Sequence, residues 1–397
     1  MFSRFRAFQT TLSASPLFRI GIRGSAILGL FVLWALPRPF IQELPPKNTS
    51  RSVTFDPPQQ VETVDPRVCV HTRLTDEVEE YKVQRTLRMV REMGASTIVE
   101  FLPWAYVERE RGDYNWDHPD RIIAHAENQG LRIIARLGIV PRWVPAEANV
   151  GTATLNYLPD SEFETFADYV GKFAERYRGR VDHIIIWNEP NLNFEWGGRP
   201  ADPVSYTRLL QLSYEAAHAA NPDVVVLNAG LAPTLAPPGG AEAGWNDLDY
   251  LRQMYEAGAA DYFDAIAIHN YPFNSPPQEE PDPDVLNFRR IELMREIIVE
   301  YGDGDKPVII TETGWNDHPR FIYGVRPIQR INYTREMWAF TQENYPWLET
   351  ICIWNFRIPV ATNSYPDYFT LVSTAGFHPK PIYESIQNYA RGWETSE

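Results

Sequence analysis

The chain predicts an α/β protein, a (β/α)8 TIM barrel in one domain behind an N-terminal signal or anchor segment and a linker. Three observations carry this expectation. From Arg67 onward, short β-branched runs alternate with longer amphipathic stretches, the pattern of parallel strands joined by crossover helices. Eight such units fit into about 325 residues, the size of one barrel. No Gly-rich fingerprint follows the first run, which disfavours an open doubly wound sheet.

The eight runs, in order, are VCVHT (68–72), STIVEF (96–101), LRIIARL (131–137), VDHIIIW (181–187), VVVLNA (224–229), AIAIHNY (265–271), VIITET (308–313) and TICIWNF (350–356). Helical stretches separate them, for example at 161–178, 203–220, 285–302 and 326–345, and a last one at 381–392 follows the eighth run. In such a barrel, chemistry sits where the strands end.

The N-terminus is different in kind. Residues 1–42 hold Arg4, Arg6, Arg19, Arg23 and Arg38 and no acid, so the formal charge of −15 leaves about −20 on the rest. Gly24 to Leu36 reads GSAILGLFVLWAL, an apolar run behind arginines. That is the layout of a secretory signal. It is short for a full span of about 20 residues, and no small-x-small cleavage site follows it. Residues 1–40 are therefore assigned as a cytoplasmic basic segment with a signal anchor, or as a signal peptide. Residues 41–66 are Pro-rich linker, and 67–397 form the barrel. The body is expected outside the cytoplasm, membrane-anchored if the segment stays uncleaved and secreted if it does not. An Arg-rich organelle transit peptide is the rival, and the compact apolar run argues against it.

An acidic body repels phosphate backbones, so nucleic acid is not an expected partner. The two cysteines, Cys69 and Cys352, form no metal-ligand spacing. No metal or organic cofactor is expected. Aromatic residues are abundant at 13%, with 12 Trp, which suits either a large core or sugar stacking.

The strand ends carry the functional signal. Run four leads into Trp187-Asn188-Glu189-Pro190-Asn191, and run seven into Thr311-Glu312-Thr313-Gly314-Trp315. Strands four and seven lie on opposite sides of an eight-stranded ring, so two carboxylates can face each other across the mouth. A lone Glu at a strand end is usually a solvated charge or an ion-pair partner. Two, each behind an apolar triplet and on these two strands, are the paired carboxylates that glycoside hydrolysis needs. Run six ends in His269-Asn270-Tyr271, where Tyr271 can donate to a carboxylate and His269 can orient one or bind a sugar hydroxyl. Trp354 can floor a sugar ring. His71, Arg73, Trp104, Arg136 and Trp143 are candidate polar and aromatic walls, each weak on its own. Trp143, Trp196, Trp245 and Trp315 lie in loops where they could stack sugars or pack, and the acidic, Pro-rich loop 276–284 could shape one rim.

Together these strand ends resemble clan A glycoside hydrolases, (β/α)8 enzymes with catalytic glutamates on strands four and seven. The likeness spans about residues 67–392 and is nearest to family 39 and family 5 type barrels. Its most specific element is Asn188-Glu189-Pro190, joined by the TETGW string around Glu312, the H-x-Y of His269 and Tyr271, Trp354, the loop from Val107 to Trp116, and Lys380-Pro381. The resemblance implies that Glu189 is the general acid/base, that Asn188 contacts the sugar 2-hydroxyl, and that Glu312 is the nucleophile with Tyr271 beside it. It places Trp354 under the reacting sugar. It further implies a retaining hydrolase of a β-linked oligo- or polysaccharide or glycoside, with a carbohydrate substrate. A non-catalytic, membrane-tethered glycan-binding barrel and a transglycosylase using the same two glutamates are the alternatives.

Cys69 and Cys352 fall on strands one and eight, neighbours on barrel closure, and share the parity of His71 and Trp354. A disulfide and two buried free thiols both fit that placement.

Overall fold

The computed structural model describes residues 53–144, 155–237 and 244–393. The basic apolar segment and the linker as far as residue 52 lie outside the described residues. Among the described residues no helix is long and apolar enough to cross a membrane. The rest of the stretch read as linker, 53–66, has almost no regular secondary structure and is laid onto the body. Val64 N donates to Ala390 O at 2.8 Å, and Tyr389 Oη to Asp65 Oδ2 at 2.7 Å.

Eight parallel strands make the barrel: β1 (Val68–Thr72), β2 (Thr97–Pro103), β3 (Arg132–Gly138), β4 (His183–Ile186), β5 (Val225–Leu227), β6 (Ile266–Asn270), β7 (Val308–Thr313) and β8 (Leu348–Ile353). Their order around the sheet is β5-β4-β3-β2-β1-β8-β7-β6, and a parallel bridge from Leu227 to Ala265 brings the ends together. Helices follow the strands: α1 (Glu80–Glu92), α2 (Asp117–Asn128), α3 (Phe163–Arg176), α4 (Pro203–Ala220), α5 (Asp247–Glu256), α6 (Arg290–Glu300), α7 (Pro327–Asn344) and α8 (Pro381–Ala390). The α4 start shows the local logic. Asp202 accepts from Val204 N and Ser205 N while Pro203 occupies the first turn, where no N–H is missed.

Two apolar layers explain why the strands read as unbroken hydrophobic runs. One face of each strand packs against the helix ring, as do Val70, Ile98, Ile133 and Ile184. The other face fills the barrel with one layer from all eight strands: Cys69, Val99, Ile134, Ile185, Leu227, Ala267, Ile309 and Cys352. This plug is the floor on which the mouth residues stand. Cys69 and Cys352 face each other in register and form a disulfide, so the bonded alternative is the one realised. It joins the first barrel strand to the last within the plug.

Candidate active site

Each mouth residue is placed by its strand. His71 stands two residues above Cys69, Arg136 above Ile134 and His269 above Ala267, so all three point inward over the plug. Glu312 would not follow by alternation, because Ile309 faces inward and simple period-two counting would bring Thr311 in next. A register shift intervenes: Ile310 pairs with Ile268, but Glu312 pairs with His269. The extra residue, Thr311, lets Glu312 take the inward position, a use of bulges to re-aim a side chain. At the end of β4 the turn is made by Trp187 and Glu189, both at positive φ (76° and 41°). Bulky residues reach this region at a cost that the surroundings must supply, and such strain concentrates at functional sites.

Glu312 is the hub. Arg136 Nη1 donates to Glu312 Oε1 at 2.5 Å and to Asn188 Oδ1 at 2.7 Å. Tyr271 Oη donates to Glu312 Oε2 at 2.8 Å. His269 Nδ1 lies 2.8 Å from Glu189 Oε1 and 3.9 Å from Glu312 Oε2, and His71 Nε2 lies 3.5 Å from Glu312 Oε1. The ligating atoms of Glu189, His269 and Glu312 all fall within 4.8 Å of one another. Burial alone would raise the Glu312 pKa. The charges of His269 and Arg136 and the Tyr271 hydrogen bond outweigh it and hold the carboxyl at about 2. His269 is raised above its ordinary value because the two carboxylates beside it overcome its burial. His71, fully buried next to Arg136, is pushed down to about 3 and stays neutral. Burial and Glu312 drive the Tyr271 hydroxyl far up, so it remains a donor.

The mouth opens into a cavity of about 570 Å³. Asn188, Glu189, Arg73, Arg136, Tyr271, Glu312 and Trp354 line it. Trp354 lies edge-on to Phe369 with centroids 5.2 Å apart, and the Trp354–Asn355 peptide is cis. Arg73 is also bound to Asp76.

Two expectations fail. Trp104 is completely buried; its Nε1 donates to Glu108 Oε2 at 2.6 Å and its ring packs on Trp143, Phe166 and Tyr169. Trp143 donates to the Glu108 carbonyl and lies under Arg111. Both rings organise the hairpin of Glu108–Glu110 and Asp113–Tyr114 and stand outside the cavity. Trp196 and Trp315 are likewise buried in loop packing, and Trp245 is half-buried outside this cavity.

Sequence reasoning missed several cavity residues. Glu195, in the loop after β4, is a third carboxyl there. Burial first, and then the charge of Glu189, pushes it up to about 7, while Asn156 Nδ2 donates to its Oε2 at 2.9 Å. Phe273, Asn316, Phe321, Tyr323, Tyr365 and Phe369 also line the cavity. Gly230 was missed too: a Cβ there would lie 2.2 Å from the His269 ring, so only glycine admits this histidine. These residues sit in loops without periodicity, and the clustered aromatics of 321–323 and 365–369 are the signal that could have found some of them.

Glu189, His269 and Glu312 are close enough to ligate a metal ion, but Arg136 already neutralises Glu312 and His269 is bound to Glu189. The arrangement suits acid–base and nucleophilic work.

Comparison with solved structures agrees with the barrel. A family 39 glycoside hydrolase from the gut symbiont Bacteroides cellulosilyticus WH2 superposes with a TM-score of 0.65 at 22% identity, covering 82% of this chain and 63% of that one. A monomeric β-xylosidase from Caulobacter crescentus CB15 gives 0.58 at 18% identity, covering 82% and 68%. An exo-β-1,4-mannosidase from Opitutaceae bacterium strain TAV5 gives 0.54 at 15%, covering 86% and 62%. The chain thus spans less than two thirds of the first of these, and at such identities the likeness is one of fold. No family model and no curated protein matches the sequence.

Proposed function

We propose that the protein is a retaining glycosidase acting on β-linked glycosides by double displacement. The observation that carries this reading is the close approach of Glu189 and Glu312, an oxygen of each lying within 4.8 Å of the other. Retaining enzymes set their carboxyl groups about 5–5.5 Å apart, whereas inverting ones need about 6.5–9.5 Å to admit a water between. The folds of the β-xylosidase and β-mannosidase named above are consistent with it.

Glu312, charged and held by Arg136 and Tyr271, attacks the anomeric carbon. Glu189, oriented by His269, passes its proton to the departing oxygen. The glycosyl–Glu312 ester then forms, and Glu189 takes a proton from the water that cleaves it. Asn188, fixed by Arg136, is placed to meet the sugar beside that carbon, and Trp354 floors it. Export through the basic and apolar N-terminal segment belongs to the same reading, supported by residues 1–40.

The test is a panel of aryl β-glycosides of xylose, glucose, galactose and mannose with wild type and Glu312→Ala. Turnover should fall by about four orders of magnitude in the variant, and azide should restore part of it as a glycosyl azide. No release from any glycoside by wild type would favour the glycan-binding barrel, and disaccharide products without net hydrolysis would favour transglycosylation.

A further inference from the structure

The cavity has two unlike sides. Strand β3 contributes Arg136, and the loops after β1 and β4 contribute Arg73, Asn188, Glu189 and Glu195. The loops after β6, β7 and β8 contribute rings. Phe273 packs on Tyr323 at 5.0 Å between centroids, Tyr323 on Phe321 at 5.6 Å, and Phe321 stacks on Tyr365 at 5.1 Å. These four rings line the catalytic cavity and form one continuous wall.

Core packing does not account for this wall. Tyr323 and Tyr365 are 46% and 49% exposed, and Ile322 between the two wall rings Phe321 and Tyr323 is 81% exposed. Phe273 sits at a φ of 50°, a left-handed conformation that a bulky residue adopts only under constraint. Strained backbone and exposed rings at the mouth of a reaction cavity point to a ligand.

The chemistry of the wall selects what that ligand is. A hydroxyl-rich sugar needs edge-on donors and acceptors as well as a flat face. The one amide on this side, Asn316, is buried and engaged at both ends: its Nδ2 donates to Tyr365 O at 2.7 Å and its Oδ1 accepts from His318 N at 2.9 Å. The wall thus offers ring faces and phenolic hydroxyls only. The cavity volume, about 570 Å³, exceeds what one sugar ring fills and lies within the range that holds a drug-sized ligand.

We propose that the aromatic wall is an aglycone subsite for an apolar leaving group, aryl or alkyl, carried on the sugar that Glu189 and Glu312 cleave. This rests on the glycosidase reading. The apolar group slides along the four rings and loses its hydration there, while the polar side of the cavity keeps the sugar.

Methyl and n-octyl β-glycosides test this cleanly, because their leaving alkoxides have similar basicity and differ in apolar length. They are compared with the β-1,4-disaccharides in the xylo, gluco, galacto and manno series. The octyl glycoside should exceed the methyl glycoside in kcat/KM by about tenfold or more. That ratio should collapse by about tenfold in Tyr323→Ala and in Phe321→Ala, with the octyl KM rising. The exposed Tyr323 variant guards against a folding defect at Phe321. Equal rates for methyl and octyl, a preference for the disaccharide, or parallel loss on all substrates in both variants would overturn the subsite while leaving Glu312-dependent hydrolysis standing. Absence of hydrolysis on every substrate would instead remove the glycosidase reading, and the subsite with it.

Discussion

At Glu312 two opposed effects meet: burial favours the neutral acid, and the His269 and Arg136 cations with the Tyr271 hydroxyl favour the carboxylate. The second set wins, and the carboxyl is held at about 2. Removing Arg136 tests the balance. In Arg136→Met the acid limb of kcat/KM should move up by about one to two pH units, with a drop in turnover of about a hundredfold. An unmoved limb would show that Arg136 does not govern the nucleophile. Linkage gives a second readout. A carboxyl depressed in the folded state contributes stability that is present above its ordinary value of 4.5 and is lost as pH falls toward about 2. His269 runs the other way: raised above 6.5, it contributes stability present below that value and lost as pH climbs through its folded pKa. Thermal melts from pH 2 to pH 9 should therefore lose stability at both ends, and Glu312→Gln should flatten the acidic slope. Gly230 offers a residue-scale control. Gly230→Ala should cost about ten- to a hundredfold in kcat/KM through displaced His269, with the far-ultraviolet spectrum unchanged.

Strands, loops and the disulfide set where those residues stand. The eight strands were legible because both faces of each are buried, which writes an apolar run into the chain. The two glutamates were legible because each follows such a run. That Glu312 faces inward was not legible: it depends on the Thr311 bulge, a property of pairing with β6 that period-two counting gets wrong. Trp104 and Trp143 were misplaced for a related reason. A tryptophan in a loop after a strand looks the same whether its ring meets a sugar or, as here, another ring and Glu108. The cysteines show the reverse case, since parity placed both inward and left only bonding open. Their disulfide spans 283 residues and ties β1 to β8 inside the plug. The paired Cys69→Ala and Cys352→Ala variant should lose about 2–4 kcal/mol of stability by urea denaturation. Indistinguishable midpoints would mean that packing alone closes the barrel.

Across the molecule, charge and shape divide the labour. The body carries about −20 formal charges, yet the reaction cavity gathers Arg73 and Arg136 around its carboxyls, with His269, its pKa raised, beside Glu189 and Glu312. The plug of eight inward side chains gives these groups a rigid base, and the loops after β6, β7 and β8 supply the aromatic side that strand patterning could not reveal. The central claim is that Glu312 becomes covalently glycosylated. It is tested most directly by incubating the protein with an activated 2-deoxy-2-fluoro-β-glycoside of the preferred sugar and mapping the label by peptide mass spectrometry. The account expects one fluoroglycosyl group on the peptide containing Glu312, lost on prolonged incubation with an acceptor. An unlabelled protein whose hydrolysis product forms with inverted anomeric configuration, or a label on Glu189, would contradict it.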